Sequence, residues 1–214
     1  MIHIDEIENV LSRGKPWPPV SEIDRLRRIS ENEQLFNGNH AAVYTALNKL
    51  FSNASPEYRK LLVLLNWHKR LSLLWADFLF GEKPIINIDP EDANNLLQNI
   101  LRDTNFFVLQ HSRQIDVSRF GIGIIEILMN DEKVQFDVIH PSRYIEIVDD
   151  ANKTIEHLIW WTNRNKLFLK VHGPGYITTK IFNVSTDSKI LDMVGEFTQS
   201  TGISTPLISV VKNI

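Results

Sequence analysis

The chain has 214 residues, 43% of them hydrophobic and 23% charged, with a formal net charge of −3 and no cysteine. At 24.8 kDa it can bury roughly 70% of its unfolded surface, enough for the core of one domain or two small ones, and the missing cysteine excludes a disulfide framework, thiolate zinc sites and cysteine nucleophiles. A pI near 6.2 argues against binding nucleic acid through bulk positive charge.

The amino terminus, Met1-Ile2-His3-Ile4-Asp5-Glu6, carries acids where a secretory signal needs basic residues, so no export is expected. Lys15-Pro16-Trp17-Pro18-Pro19 forms a stiff lead-in, and Ser21 precedes a helix with Ile23, Leu26, Ile29 and Phe36 on related faces. Asn37-Gly38-Asn39 breaks that helix, and a short one follows from His40 to Phe51. Ser55 as N-cap, Pro56 at the first helical position and Glu57 against the dipole start a helix expected to run to Phe80, with Gly81 and Pro84 ending it. Leu61 to Phe80 is long enough to span a bilayer but contains Asn66, His68, Lys69, Arg70 and Asp77, so it reads as a buried helix of a soluble protein with no membrane role. On a helical wheel Arg59, Asn66, Arg70 and Asp77 fall within a stripe of about 40°. The rest of the circumference is mostly apolar, which implies burial on nearly all sides; the stripe is a solvated face or, alternatively, an inter-subunit contact. Lys60, His68, Lys69 and Ser72 lie off the stripe, to snorkel or to make such contacts.

Asp89 as N-cap, Pro90 at the first helical position and Glu91 open a further helix, with Leu96, Leu97, Ile100 and Leu101 on its apolar face, and another runs from about Thr104 to Phe120. At Gly121-Ile122-Gly123 the pattern changes, and β signals dominate to the end. Ile122–Met129 is apolar on both faces except at Glu126; Asn130-Asp131-Glu132-Lys133 turns it into Val134–Val138. Strands at Tyr144–Val148, Ile155–Thr162, Leu167–His172 and Tyr176–Phe182 follow, separated by turn residues, which gives an antiparallel meander. The fold class is α+β, divided into a helical arm at 1–54, a helical segment at 55–120 and an antiparallel β segment at 121–214.

No catalytic, cofactor or metal signature emerges. Gly121-Ile122-Gly123-Ile124-Ile125-Glu126 has Glu126 where a dinucleotide loop needs its third glycine, and it leads from helix to strand, the reverse of that motif. Gly173-Pro174-Gly175 lacks the Lys-Ser/Thr ending of a phosphate loop and reads as a hairpin turn. No two of the seven histidines share helical i, i+4 spacing, so metal ligation has no support. His111 and Asp116 are five apart, on different faces of one helix, and His140 before Pro141 reads as a turn histidine. Arg25, Arg27 and Arg28, interleaved with acids, read as a solvated helix face in preference to a phosphate contact. Three glycosylation patterns, beginning at Asn53, Asn152 and Asn183, carry no weight without an export signal.

The order of features is more informative than any single motif. Asn66-Trp67-His68-Lys69-Arg70 and the apolar helix ending Asp77-Phe78-Leu79-Phe80-Gly81-Glu82-Lys83-Pro84-Ile85-Ile86 resemble the portal (head–tail connector) proteins of tailed bacteriophages and prophages. The same is true of Phe120-Gly121-Ile122-Gly123, the run Val138-Ile139-His140-Pro141-Ser142-Arg143-Tyr144 through Asp150, and the strands Ile155–Trp161 and Leu167–His172. The resemblance covers the chain from about residue 20 onward. It implies a structural role without catalysis or cofactor: a ring, typically dodecameric, at one capsid vertex of the virion, assembled in the bacterial cytoplasm. Such a ring nucleates head assembly, docks the terminase, contacts capsid, scaffold and neck proteins, and passes double-stranded DNA through its channel.

Within that resemblance the helix-then-sheet order corresponds to the wing, and the sequence stops at Ile214, where a stem would begin. An amino-terminal fragment, monomeric or weakly associated on its own, is therefore expected, with no DNA-contact residue to carry over. A stand-alone α+β adaptor domain stays open as the alternative, and a hydrolase or nuclease using His111, Asp116 or Glu126 is the third reading.

Overall fold

The computed structural model describes residues 1–53, 65–130 and 133–213. Among these residues the α-helices are α1 (Ile7–Val10), α2 (Ile23–Phe36), α3 (Ala41–Leu50), α4 (Trp67–Phe80), α5 (Glu91–Asp103) and α6 (Phe106–Phe120). The strands are β1 (Ile2–His3), β2 (Ile122–Asn130), β3 (Lys133–Ile139), β4 (Tyr144–Val148), β5 (Thr154–Asn163), β6 (Lys166–Gly173), β7 (Tyr176–Val184), β8 (Ile190–Ser200) and β9 (Ile208–Lys212). The result is the α+β arrangement expected, helices first and a mostly antiparallel β region after them. Among the described residues no helix is long and apolar enough to cross a membrane.

The helix expected from Ser55 to Phe80 is not continuous. Its proposed start at Ser55-Pro56-Glu57 and the stripe residue Arg59 lie outside the described residues, but Leu65 and Asn66 are not helical and α4 begins afresh at Trp67. Asn66 sets this start. Its Oδ1 accepts from the Lys69 N–H at 2.9 Å as an N-cap, and its Nδ2 donates to the Phe36 carbonyl at 2.9 Å, tying the start of α4 to the end of α2. Further along, Pro90 is itself the N-cap of α5, one position later than expected for Asp89, and no side chain caps that end.

The strands expected from the sequence all form, but they divide between two sheets. β4 to β8 make the antiparallel meander, and β1 adds to β4 in parallel, giving the order β1-β4-β5-β6-β7-β8. The β2–β3 hairpin stands apart, its tip at 131–132 outside the described residues, and takes β9 as a third strand against β2. Helix α6 packs on β2 and β3. Gly121 ends it in the left-handed region at φ +79°. Gly123 then brings the strand so near the helix that a Cβ would lie 2.6 Å from Arg113 Cγ and 2.7 Å from Val117 Cγ2, contacts that only glycine avoids.

One core lies on the larger sheet, where Ile145, Ile147, Leu158, Leu167, Leu169, Phe182 and Ile190 are buried with Ile2 and Trp17. The proline-flanked Trp17 meets Trp160 edge-on at 5.9 Å, so the lead-in seals the sheet. Arg25, expected on a solvated face, is instead a clamp. Its Nη1 donates to the Pro141 carbonyl at 2.8 Å and its Nη2 to the Tyr144 carbonyl at 2.7 Å, while its Nε pairs with the buried Glu22 at 2.5 Å. Glu22 also receives the Met1 ammonium group. Burial alone would raise the Glu22 carboxyl, but these two cations hold it below its ordinary value. Arg27 does behave as a solvated residue, paired with Asp24 and Glu31 on its own helix.

The two sheets are joined through charge. The carboxylate of Glu126 on β2 is buried and accepts from Lys170 Nζ and His172 Nε2 of β6, each at 2.8 Å. Burial pushes this carboxyl up, and the hydrogen bonds from His172 and Lys170 outweigh that and hold it down. Next to His172 across the strand pair is His157. Its Nδ1 lies 2.6 Å from the Tyr144 hydroxyl, which also donates to Glu146 at 3.3 Å, and Glu146 pairs with Lys212 of β9 at 2.7 Å.

Two substitutions test this scheme. Arg25→Ala should lower stability by about 2–4 kcal/mol, since it takes one of two cations from a buried carboxylate and the donor from the Pro141 and Tyr144 carbonyls; the urea midpoint should fall with an unchanged slope. Glu126→Ala should cost about 3–5 kcal/mol by the same measurement, because it leaves Lys170 without its counter-charge and His172 Nε2 without its hydrogen-bond partner.

Candidate assembly surface

A helix that is apolar around most of its circumference should be buried on most sides. α4 is not. Only Ser72 and Ala76 among its residues are fully buried, and both face α6, where Ser118 Oγ donates to Ser72 Oγ at 3.1 Å. Trp67, Leu71, Leu74, Trp75 and Phe78 recur at helical spacing, and every one is more than half exposed, Phe78 reaching 78%. Trp75 and Phe78 stack with ring centroids 6.0 Å apart. With Val117 and Ser118 of α6 and Asn213 just past β9, four of these residues line an open groove of about 520 Å³. An apolar patch with two tryptophans and a phenylalanine in water marks an interaction site.

The polar stripe expected on the same helix resolves into particular contacts. Asn66 is the cap already described, and Arg70 stands over the Trp67 ring at 5.9 Å. Asp77 lies 2.8 Å from His111 Nε2 on α6. Lys69, off the stripe, is exposed and reaches over the Phe36 ring at 5.7 Å.

The titratable residues singled out in sequence separate among different partners. His111 belongs to the Asp77 pair, Asp116 lies 3.6 Å from Arg119 on its own helix, and Glu126 is held between the sheets. Arg119 sits over the rings of Phe36 at 4.7 Å and Phe120 at 4.2 Å and reaches Glu33 at 3.7 Å, so it welds α2 to α6. Among the described residues no three His, Cys, Asp or Glu side chains come together to hold a metal ion.

A second groove brings Glu33, His140 and Ser142 together, in the order of an acid, a base and a hydroxyl nucleophile. The geometry is that of a turn cap. His140 Nδ1 lies 2.7 Å from Ser142 Oγ and also accepts the Ser142 backbone N–H at 3.3 Å, closing the 3-10 turn Pro141–Arg143, while Glu33 stands 3.8 Å from Nε2, beyond hydrogen-bond reach. Burial, with help from Arg119 and Arg143 and against Glu33, lowers His140 below its ordinary value, so the ring is neutral near pH 7. The turn histidine read from Pro141 is thus what stands there.

Compared with known proteins, the chain matches the family model described as phage portal protein, SPP1 Gp6-like, over residues 21–209. No curated protein sequence matches it.

Burial raises the Asp116 carboxyl from 3.8 to about 6, with Arg119 opposing and Glu33 adding to the shift. Because the folded value lies above the unfolded one, the associated stability is complete below about pH 4 and is lost as the pH rises through about 6, a fall of about 3 kcal/mol. Asp116→Asn should flatten this slope in urea titrations between those pH values and be the more stable protein at pH 7.

Proposed function

Since the chain belongs to the SPP1 Gp6-like phage portal protein family, whose members are structural and not catalytic, we propose that it forms part of the ring at the capsid vertex through which DNA is packaged and ejected. In this reading residues 1–54 are an arm, 55–120 the helical half of the wing and 121–214 its β half, leading toward a stem. The observation that carries it is the exposed apolar stripe of α4, which a lone subunit would not keep in water. A neighbouring subunit is the contact such a surface requires in a closed assembly. The welded α2–α4–α6 junction, with Phe36 under Arg119 and beside Lys69 and His68, gives that surface a rigid backing. Terminase, capsid or scaffold and neck proteins, and the DNA in the channel, are the other partners of this reading, and the virion is its location.

Deleting the gene from the phage genome that carries it tests the proposal. Heads should form without nuclease-protected DNA, and supplying the gene in trans should restore it. Heads filled with DNA to the normal level in the deletion strain would overturn the assignment.

A further inference from the structure

Strand alternation turns Ile125 and Ile127 away from the Glu126 joint and toward α6, and on that side of the small sheet lies a cavity of about 400 Å³. Its walls are apolar: Phe106 and Phe107 of α6, the two isoleucines of β2, Phe136 of β3 and Phe80 at the end of α4. Phe106 meets Phe107 edge-on at 5.7 Å and Phe136 at 5.2 Å, so the walls brace one another.

The polar groups of this cavity are incompletely paired. Gln110, one turn along α6 from Phe106, is only 6% exposed, yet its Oε1 is enclosed without a hydrogen-bond partner, which is uncommon in a folded chain. Arg113 follows three residues later on the same face of the helix and also lines the cavity. Its Nη1 donates to Ser209 Oγ at 3.1 Å, which leaves most of the guanidinium donors unused. Arg25 and Arg119, the other arginines withdrawn from full exposure, each have an acid beside them, whereas Arg113 has none among the described residues. Burial lowers the Arg113 guanidinium below its ordinary value with no neighbouring charge opposing the shift. The stem of the side chain is fixed, since it lies against Gly123 where any Cβ would collide with it.

An apolar chamber with one amide oxygen short of a donor and one cation short of an anion specifies what would complete it. The body of the ligand is apolar, an N–H or O–H faces Gln110, and an anion faces Arg113, whose planar fork suits a carboxylate. A phosphate would bring more charge than one guanidinium neutralises into walls that offer no further donor. An N–H and a carboxylate on one carbon, beside an apolar side chain, are the features of an acylated amino acid.

We propose that this cavity binds an apolar N-acylated amino acid through its free carboxylate on Arg113 and its amide N–H on Gln110 Oε1, with the side chain among the phenylalanines. A free acyl amino acid and the last residue of a polypeptide present the same chemistry. The proposal goes beyond the ring reading and does not depend on it.

Calorimetric titration of the full chain with N-acetyl-L-phenylalanine, beside its carboxamide, tests this. The acid should bind saturably, and the carboxamide about tenfold more weakly or worse, because it lacks the charge that Arg113 meets. Arg113→Met, which keeps a stem against Gly123, should lose about tenfold in affinity for the acid and little for the carboxamide, while Gln110→Leu should weaken both. Both variants are compared after circular dichroism shows the fold unchanged; the contrast between acid and carboxamide is read on the unaltered chain. Acetyl-Ala-Ala-Phe with a free carboxylate, bound about tenfold more tightly than acetylphenylalanine, would assign the site to a chain end, and equal or weaker binding would assign it to a free acid. No binding of either acid at millimolar concentration, a carboxamide bound as tightly as its acid, or unchanged affinity in Arg113→Met overturns the proposal. The ring reading stands or falls separately, on the deletion experiment.

Discussion

The molecule depends on one buried carboxylate. Glu126 sits in the most apolar strand of the chain, where Ile124 and Ile125 are also buried, and it is held there by Lys170 and His172 across the gap between the sheets. A buried ion pair of this kind adds little net stability compared with apolar packing, since desolvating the charges costs about as much as their attraction returns. What it does supply is register. β2 can lie on β6 only where the carboxylate meets both donors, and a slip of one residue would turn Glu126 to the other face. The Glu146–Lys212 pair repeats the device between β4 and β9, so the small sheet is pinned to the large one at two points.

The fold therefore has a helical layer, a small sheet and a large sheet. Rigidity is concentrated at the joints. Arg119, stacked between two phenylalanines, fixes α2 to α6; Gly123 lets α6 lie directly on β2; Arg25 closes the edge of β4. Apolar surface is concentrated elsewhere, along α4 and β8, which contribute little to the core. That division suits a protein whose work is to hold position within an assembly, where stiff subunits meet through surfaces left open for the purpose.

Much of this was legible in the sequence. Turn residues at regular intervals located β4 to β7 within a residue or two, and the β2–β3 hairpin was equally plain. Local signals could not say that the hairpin leaves the meander, because the choice of sheet is made by Glu126 finding its partners on β6, far away in sequence. The same limit applies to Arg25, which looks like any surface arginine until Pro141 and Tyr144 are folded against it. For α4 the periodicity was read correctly as apolar on most sides, yet burial did not follow. Apolar pattern reports the need for a partner, and the partner need not be within the chain. The helical wheel places Asn66 in a polar stripe, solvated or inter-subunit, but an asparagine inside a helix competes with its backbone, and that signal fits its place as the N-cap of α4. For β8 the sequence provided general β character without a strand, since its alternation is blurred by exposure on both faces.

The third strand of the small sheet has a consequence for synthesis. β2 pairs with β3 next to it in sequence, but its other neighbour, β9, is supplied only after all of the large sheet has been made. Until then one side of an apolar strand has no hydrogen-bonding partner, and joining it closes a long loop, a slow step compared with forming a hairpin. The large sheet forms first as a template, and β9, made after it, locks the layers together, so a chain interrupted before β9 would expose its stickiest edge for as long as that strand is missing.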